Sequence, residues 1–234
     1  MAIASQKFSK KHQIGHRSRI RNKLVSSGDQ SLYDYEIVEL MLFWVFKRKD
    51  VKPLAKTLID RFKTIDKILN ARSEELLEID GIGESAVNTI KVINGIVKAS
   101  LKSKIVNTST IECFDDVIDY CKINMKNLVA EELRVIFLNT INKVVADDVV
   151  QSGDIDSMDV CPRNIIKRCL DHGAKAVILV HNHPSGDPTP SVQDVYTTKK
   201  IVEALNVFDI KLHDHIIIGG DRYISFKTLN LLEK

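Results

Sequence analysis

Ala176-Val177-Ile178-Leu179-Val180-His181-Asn182-His183-Pro184-Ser185-Gly186-Asp187-Pro188-Thr189-Pro190-Ser191-Val192-Gln193-Asp194 is the stretch on which the reading of this chain turns. Its first five residues are an apolar run that predicts a buried strand. In an extended backbone, residues two apart point to one side, so His181 and His183 are expected to project together from the strand end. Asp194 follows His183 by eleven residues, at the expected start of the next helix. Two imidazoles and a carboxylate with a fourth position open form the ligand set of a catalytic zinc. Each part also has a plainer reading. Ser191-x-x-Asp194 resembles a helix-capping box, and the prolines suit a rigid turn.

His-x-His-Pro followed by Ser-x-x-Asp resembles the JAMM signature of MPN-type metalloproteases. The longer string His181-Asn182-His183-Pro184-Ser185-Gly186-Asp187, with Pro190-Ser191 and Asp194, is similar to the bacterial RadC family. The resemblance implies a Zn²⁺ site on His181, His183 and Asp194. It implies that Ser191 supports an oxyanion and that a glutamate from an earlier strand is the general base. Aligning the Leu138-Asn139-Thr140 strand end puts Glu131 on that family position. Glu132 is the alternative and, being adjacent, would point to the opposite face. RadC-like chains also share Asp214-His215.

The sequence departs from the family pattern in two places. Gly153-Asp154 stands where Gly-Thr is usual, and Pro162-Arg163-Asn164 where Pro-Arg-Glu is usual.

The chain has 234 residues, 44% of them hydrophobic, which is a globular composition long enough for two small domains. No N-terminal stretch has the apolar core of a signal peptide, and the longest nearly apolar run, residues 37–46, is broken by Glu39. A cytoplasmic protein with no membrane partner is the expectation. Cys113, Cys121, Cys161 and Cys169 form no Cys-x-x-Cys pair, and reduced, mostly buried thiols are expected. The net charge of +3 conceals an asymmetry. Residues 1–105 carry 20 Lys+Arg against 12 Asp+Glu, and the remainder 14 against 19.

The basic half reads as helical. A mobile arm over residues 1–16 leads to a short basic helix bearing Arg17, Arg19, Arg21 and Lys23. An apolar helix over 34–46, capped by Ser31 or Asp34, is expected to bury Trp44 in the core. Helices follow from Pro53 to Phe62, over 65–70 and over 73–79, the last capped by Ser73. Gly81-Ile82-Gly83 then resembles a helix-hairpin-helix turn before a helix over 84–99. Such turns hold a DNA backbone on exposed amides, although Glu84 occupies the place where a cation is usual. Residues 17–105 resemble the helical N-terminal domain of RadC proteins, recognisable by Leu32-x-x-x-Glu36 and Gly81-Ile82-Gly83.

A polar linker over 102–110 marks the expected boundary between a helical domain, 1–104, and an MPN/JAMM-like mixed-sheet domain, 105–234. In the second domain, helices are expected over 114–125, 161–172 and 191–207. Strands are expected over 131–139, 144–150, 176–180, 210–218 and 222–226. The fold class is therefore α/β, α+β overall. His213 and His215 share a face by the period-two argument, as a rival metal pair, a support for the first site, or plain surface histidines.

Three functions are compatible with these residues. One is a zinc-dependent amide hydrolase acting on a peptide or protein. Another is a DNA-associated protein with a structural or nucleolytic metal domain, binding through residues 1–105. The third is a non-catalytic scaffold.

Overall fold

The computed structural model describes residues 15–107, 114–153 and 160–232. The expected N-terminal arm, Cys113 and Asp154 lie outside them, except that Gly15 and His16 are described. The chain divides into two compact units at residues 96 and 97.

The first unit is helical: α1 (His16–Ser27), α2 (Asp34–Leu42), α3 (Lys52–Phe62), α4 (Ile65–Asn70), α5 (Ser73–Leu77) and the first part of α6 (Glu84–Asn107). Its core gathers Val38, Leu42, Leu58, Ile68, Leu76 and Ile90, each at most 1% exposed. Four expectations fail here. Helix α2 ends at Leu42, and Trp44, in the turn that follows, is 69% exposed rather than buried; Phe43 is buried instead. Once the helix stops, its period no longer governs which side chain faces inward. Ser31 sits in a 3₁₀ turn, and the residue capping α2 is Tyr33, whose amide donates to Glu36 Oε2 at 3.1 Å. Likewise the residue capping α5 is Arg72, whose amide donates to Glu75 Oε2 at 2.9 Å, and Ser73 is the first helical residue rather than the cap. Residues 102–107 are not a linker but the last turns of α6. Nothing in their polar composition forbids a helix, because lysine is a good helix former.

The second unit is built on a five-stranded mixed sheet in the order β2-β1-β3-β4-β5. Its strands are β1 (Glu132–Leu138), β2 (Val144–Ser152), β3 (Ala176–Asn182), β4 (Lys211–Gly219) and β5 (Arg222–Ser225). Strand β3 is buried along its whole length, antiparallel to β1 and parallel to β4. A strand covered on both faces reads as a continuous apolar run, as residues 176–180 do. Ile178 and Val180 pack with α7 (Phe114–Met125), whereas Val177 and Leu179 pack with α8 (Pro162–Asp171) and α9 (Val192–Asn206). Cys121 and Cys169 are buried in these two opposite cores, whereas Cys161 is exposed. Burial pushes the Cys169 thiol up to about 11.

The loop from β3 to α9 is held against the sheet end. The His183 amide donates to the Ile218 carbonyl at 2.8 Å, and Arg222 Nη2 donates to the Gly186 carbonyl at 3.2 Å. Gly219 permits this approach: a Cβ there would meet Pro188 N at 2.5 Å and the Asp187 carbonyl carbon at 2.8 Å. Gly219→Ala is therefore expected to destabilise the fold by roughly 1–3 kcal/mol, as overpacking does. Gly95→Ala, at an exposed site within α6 with open space around it, should stabilise by about 0.5–1 kcal/mol through helix propensity. Thermal unfolding of the two variants should move in opposite directions.

Candidate metal centre

His181, His183 and Asp194 come together, as the spacing predicts, and are the group of this kind found among the described residues. Strand β3 carries His181 to its buried end. His183 follows one residue beyond the strand, and Asp194 sits in the first turn of α9. His181 Nε2 lies 2.9 Å from His183 Nε2. Asp194 Oδ1 is 3.3 Å from His181 Nε2, and Asp194 Oδ2 is 3.5 Å from His183 Nε2.

The proton positions follow from the surrounding partners. Thr198 Oγ1 has one hydrogen and donates it to the Asp194 carbonyl at 2.6 Å. Its 2.6 Å contact with His215 Nδ1 therefore has His215 as donor. A neutral His215 then accepts at Nε2, and His181 Nδ1–H donates to it at 2.7 Å. Burial holds His215 well below the ordinary imidazole range, which keeps it neutral. On the other side, His183 Nδ1–H donates to the Asp187 carbonyl at 2.8 Å. Both histidines thus present an Nε2 lone pair to the same point, beside a carboxylate.

Three donor atoms this close repel unless a cation, a proton or a metal ion, lies between them. Ligand atoms about 2.0–2.1 Å from a tetrahedral ion lie about 3.3 Å apart. The His181 Nε2–His183 Nε2 and His181 Nε2–Asp194 Oδ1 separations lie near that value, and one ligand atom from each of the three residues lies within 4.8 Å of the others, so the donor set suits a divalent metal in type. The charges tell the same story. Contact with Asp194 raises the His183 imidazole against its burial, and the charge of Glu131 adds to the effect. Burial pushes Asp194 up, but the adjacent imidazoles of His181 and His183 and the hydrogen bond from Ser191 outweigh this and hold it far below the ordinary carboxylate range.

Ser191 is the N-cap of α9. Its amide and hydroxyl both donate to Asp194 Oδ2 at 2.7 Å, and its Oγ accepts from the Asp194 amide at 3.0 Å. The capping reading and the ligand reading are therefore both true of this motif: the cap aims the carboxylate. The hydroxyl proton expected to face an oxyanion is engaged by Asp194.

Glu131 lies one residue before β1, half-buried, with its carbonyl accepting from the Gly153 amide at 2.9 Å. Leu133, two residues on, is opposite His181 in the β1–β3 ladder. By alternation Glu131 belongs to the His181 side, in keeping with its electrostatic effect on His183. Glu132 is turned to the other face, where its carboxylate meets Arg134 Nη2 at 3.0 Å.

His213 and His215 do not form a rival site. A bulge in β4 leaves His213 without a partner between Leu212 and Asp214, and a bulge breaks the period-two rule. His213 Nε2 contacts Asn142 Oδ1 at 2.6 Å, while His215 turns inward to His181. Reading from the sequence missed Thr198 as the end of the His215 chain. Its place four residues after Asp194, one helical turn on, was the available signal.

In the helical unit, the expected phosphate-contacting residues of α1 have intramolecular partners, Arg21 among them over the Phe43 ring at 5.7 Å. Arg17 donates to the carbonyls of Phe46, Lys47 (2.9 Å) and Lys49 (2.6 Å), and Lys23 pairs with Glu36 at 2.7 Å.

A family description of a RadC-like JAB domain matches residues 111–231, and one of a UPF0758 N-terminal domain matches residues 12–88. The chain belongs to the RadC family. Its JAB domain places it with a group associated with metal-dependent hydrolases, and the His-His-Asp cluster is a candidate for the metal. No helix among the described residues is long and apolar enough to cross a membrane.

The raised His183 value gives a pH test. In the metal-free protein its stabilisation is fully present below the unfolded imidazole value of about 6.5 and is lost as pH rises through the folded value. Metal must displace that proton, so zinc affinity should climb with pH across this window, by at most about tenfold per unit for the one proton. Thr198→Val, which removes the hydroxyl behind His215, should weaken zinc binding about 10–100-fold. Competition with a chromogenic chelator measures both.

Proposed function

We propose that this RadC-family chain is a zinc-dependent hydrolase that cleaves an amide bond in a peptide or protein. The observation that carries the reading is the convergence of two imidazoles and one carboxylate on a single point, with Glu131 on the same side of the sheet. His181, His183 and Asp194 would hold Zn²⁺, whose contribution when bound is Lewis acidity and a lowered pKa for water.

The remaining chemistry belongs to the protein. Glu131 takes a proton from the attacking water and passes it to the leaving nitrogen. Its carboxylate has the electrostatic reach for this role, since it already biases His183. Ser191 braces Asp194 through two hydrogen bonds to Oδ2, keeping Oδ1 aimed at the site. The chain Thr198–His215–His181 fixes one tautomer of His181, so that this ligand needs no proton rearrangement before binding. The oxyanion role expected of Ser191 requires its hydroxyl to leave Asp194, and bracing is the role that the observed hydrogen bonds support.

The competing expectation, a DNA-associated protein, draws less from the structure because Arg17 and Lys23 already hold protein groups. Both readings leave the metal cluster intact, so the substrate cleaved distinguishes them, and Glu131 is tested separately.

Glu131→Gln keeps the size and the backbone and removes the base. Hydrolysis of an internally quenched peptide library by the zinc-loaded protein is expected to fall about 10²–10⁴-fold, with bound zinc unchanged. Full peptide hydrolysis by this variant would remove Glu131 from the mechanism. Cleavage of DNA but not of peptides by the wild-type protein would replace the amide substrate with a phosphodiester.

A further inference from the structure

The residue between the two metal-site histidines has a task of its own. Asn182 is 1% exposed, and by strand alternation its side chain leaves β3 on the face opposite His181. The β1–β3 ladder ends at the pair Leu133–His181. Beyond that point the backbones no longer pair, and the side-chain amide of Asn182 continues the ladder. Its Oδ1 accepts from the Glu132 amide at 2.9 Å, and its Nδ2 donates to the Ala130 carbonyl at 3.0 Å. A carboxamide offers one acceptor and a donor group in one plane, as a peptide group does.

The two groups it holds flank Glu131 on either side. The carbonyl of Glu131 itself is taken by the Gly153 amide from β2. The backbone around Glu131 is therefore tied to β3 on one side and β2 on the other, and only the side chain retains freedom. We propose that Asn182 is a positioning residue that clamps the main chain on both sides of Glu131 and so fixes the proposed base relative to His181 and His183. This proposal rests on the reading of Glu131 as the base. One three-residue segment of β3 would then present ligands to one face and set the base from the other. A shift of about 1 Å in a reacting group is enough to lower turnover roughly 10²-fold, so a clamp of this kind affects catalysis without touching metal or substrate.

The geometry also predicts which substitutions matter. Alanine removes both arms. Aspartate keeps the acceptor for the Glu132 amide but sets an oxygen against the Ala130 carbonyl, so it should fall between wild type and alanine. Neither touches a metal-ligating atom.

The test uses the full-length, zinc-loaded protein with three readouts: bound zinc per chain, hydrogen exchange of the Glu132 amide by NMR, and kcat and KM on the internally quenched peptide library. Asn182→Ala is expected to keep its zinc, to exchange the Glu132 amide at least about tenfold faster, and to lose about 10–100-fold in kcat with KM little changed. Asn182→Asp should keep the Glu132 protection and lose less in kcat. An unchanged Glu132 exchange rate in Asn182→Ala would overturn the clamp. Faster exchange with wild-type kcat in both variants would overturn its positioning role. Should Asn182→Ala fail to fold, wild-type kcat in Asn182→Asp would count equally against it. Glu131→Gln run in parallel separates the two ideas: full activity in that variant overturns the base assignment, and the exchange data then judge the clamp alone.

Discussion

Three lone pairs directed at one point are the constraint on which the site depends. Left alone, His181 Nε2, His183 Nε2 and the Asp194 carboxylate would drive each other apart, yet the fold holds them 2.9–3.5 Å from one another. Each is braced from behind. His215 and Thr198 back His181, the Asp187 carbonyl backs His183, and Ser191 backs Asp194. These braces lie on β4, α9 and the loop between β3 and α9. The arrangement therefore exists only when the sheet and the helix are both in place. Burial contributes by keeping His215 neutral, so that its Nε2 accepts from His181 while its Nδ1 donates to Thr198.

The alternation of β1 and β3 divides the work between the two faces of the sheet. Toward α8 and α9, the sheet presents His181, with Glu131 following Leu133 in phase. Toward α7, it presents Glu132 and Arg134, and Arg134 Nη1 reaches Asp147 at 2.7 Å. That ion network is nearly buried, and removing one member would leave an uncompensated charge. It gives Glu132 a structural partner and leaves Glu131 the one without such an ion pair among the described residues. Adjacent glutamates that the sequence could not separate are thus separated by the strand's period and by the company each keeps.

Much of this was legible beforehand because it follows from local rules. The buried strand, the paired histidines and the capped helix bearing Asp194 depend on periodicity and short spacing, and each lies where the sequence placed it. The failures involve information that no local pattern carries. Trp44 was assigned to the core by a helical period that had already ended at Leu42. His213 and His215 were paired by a strand period that a bulge interrupts, and a bulge is fixed by the neighbouring strand rather than by the residues within it. Residues 102–107 look like a linker by composition but continue α6, with Ile105 packed in the core that α7 shares with the sheet. Thr198 carries no motif, and its role emerges only when β4 brings His215 beside it.

The central claim is that this cluster is a metal centre rather than a capped helix beside two histidines. Elemental analysis of the purified protein, beside a His181→Ala/His183→Ala variant, tests it most directly. The account predicts about one zinc per chain in the wild type, lost in the variant. No metal in either protein after reconstitution with Zn²⁺, or equal metal in both, would contradict it.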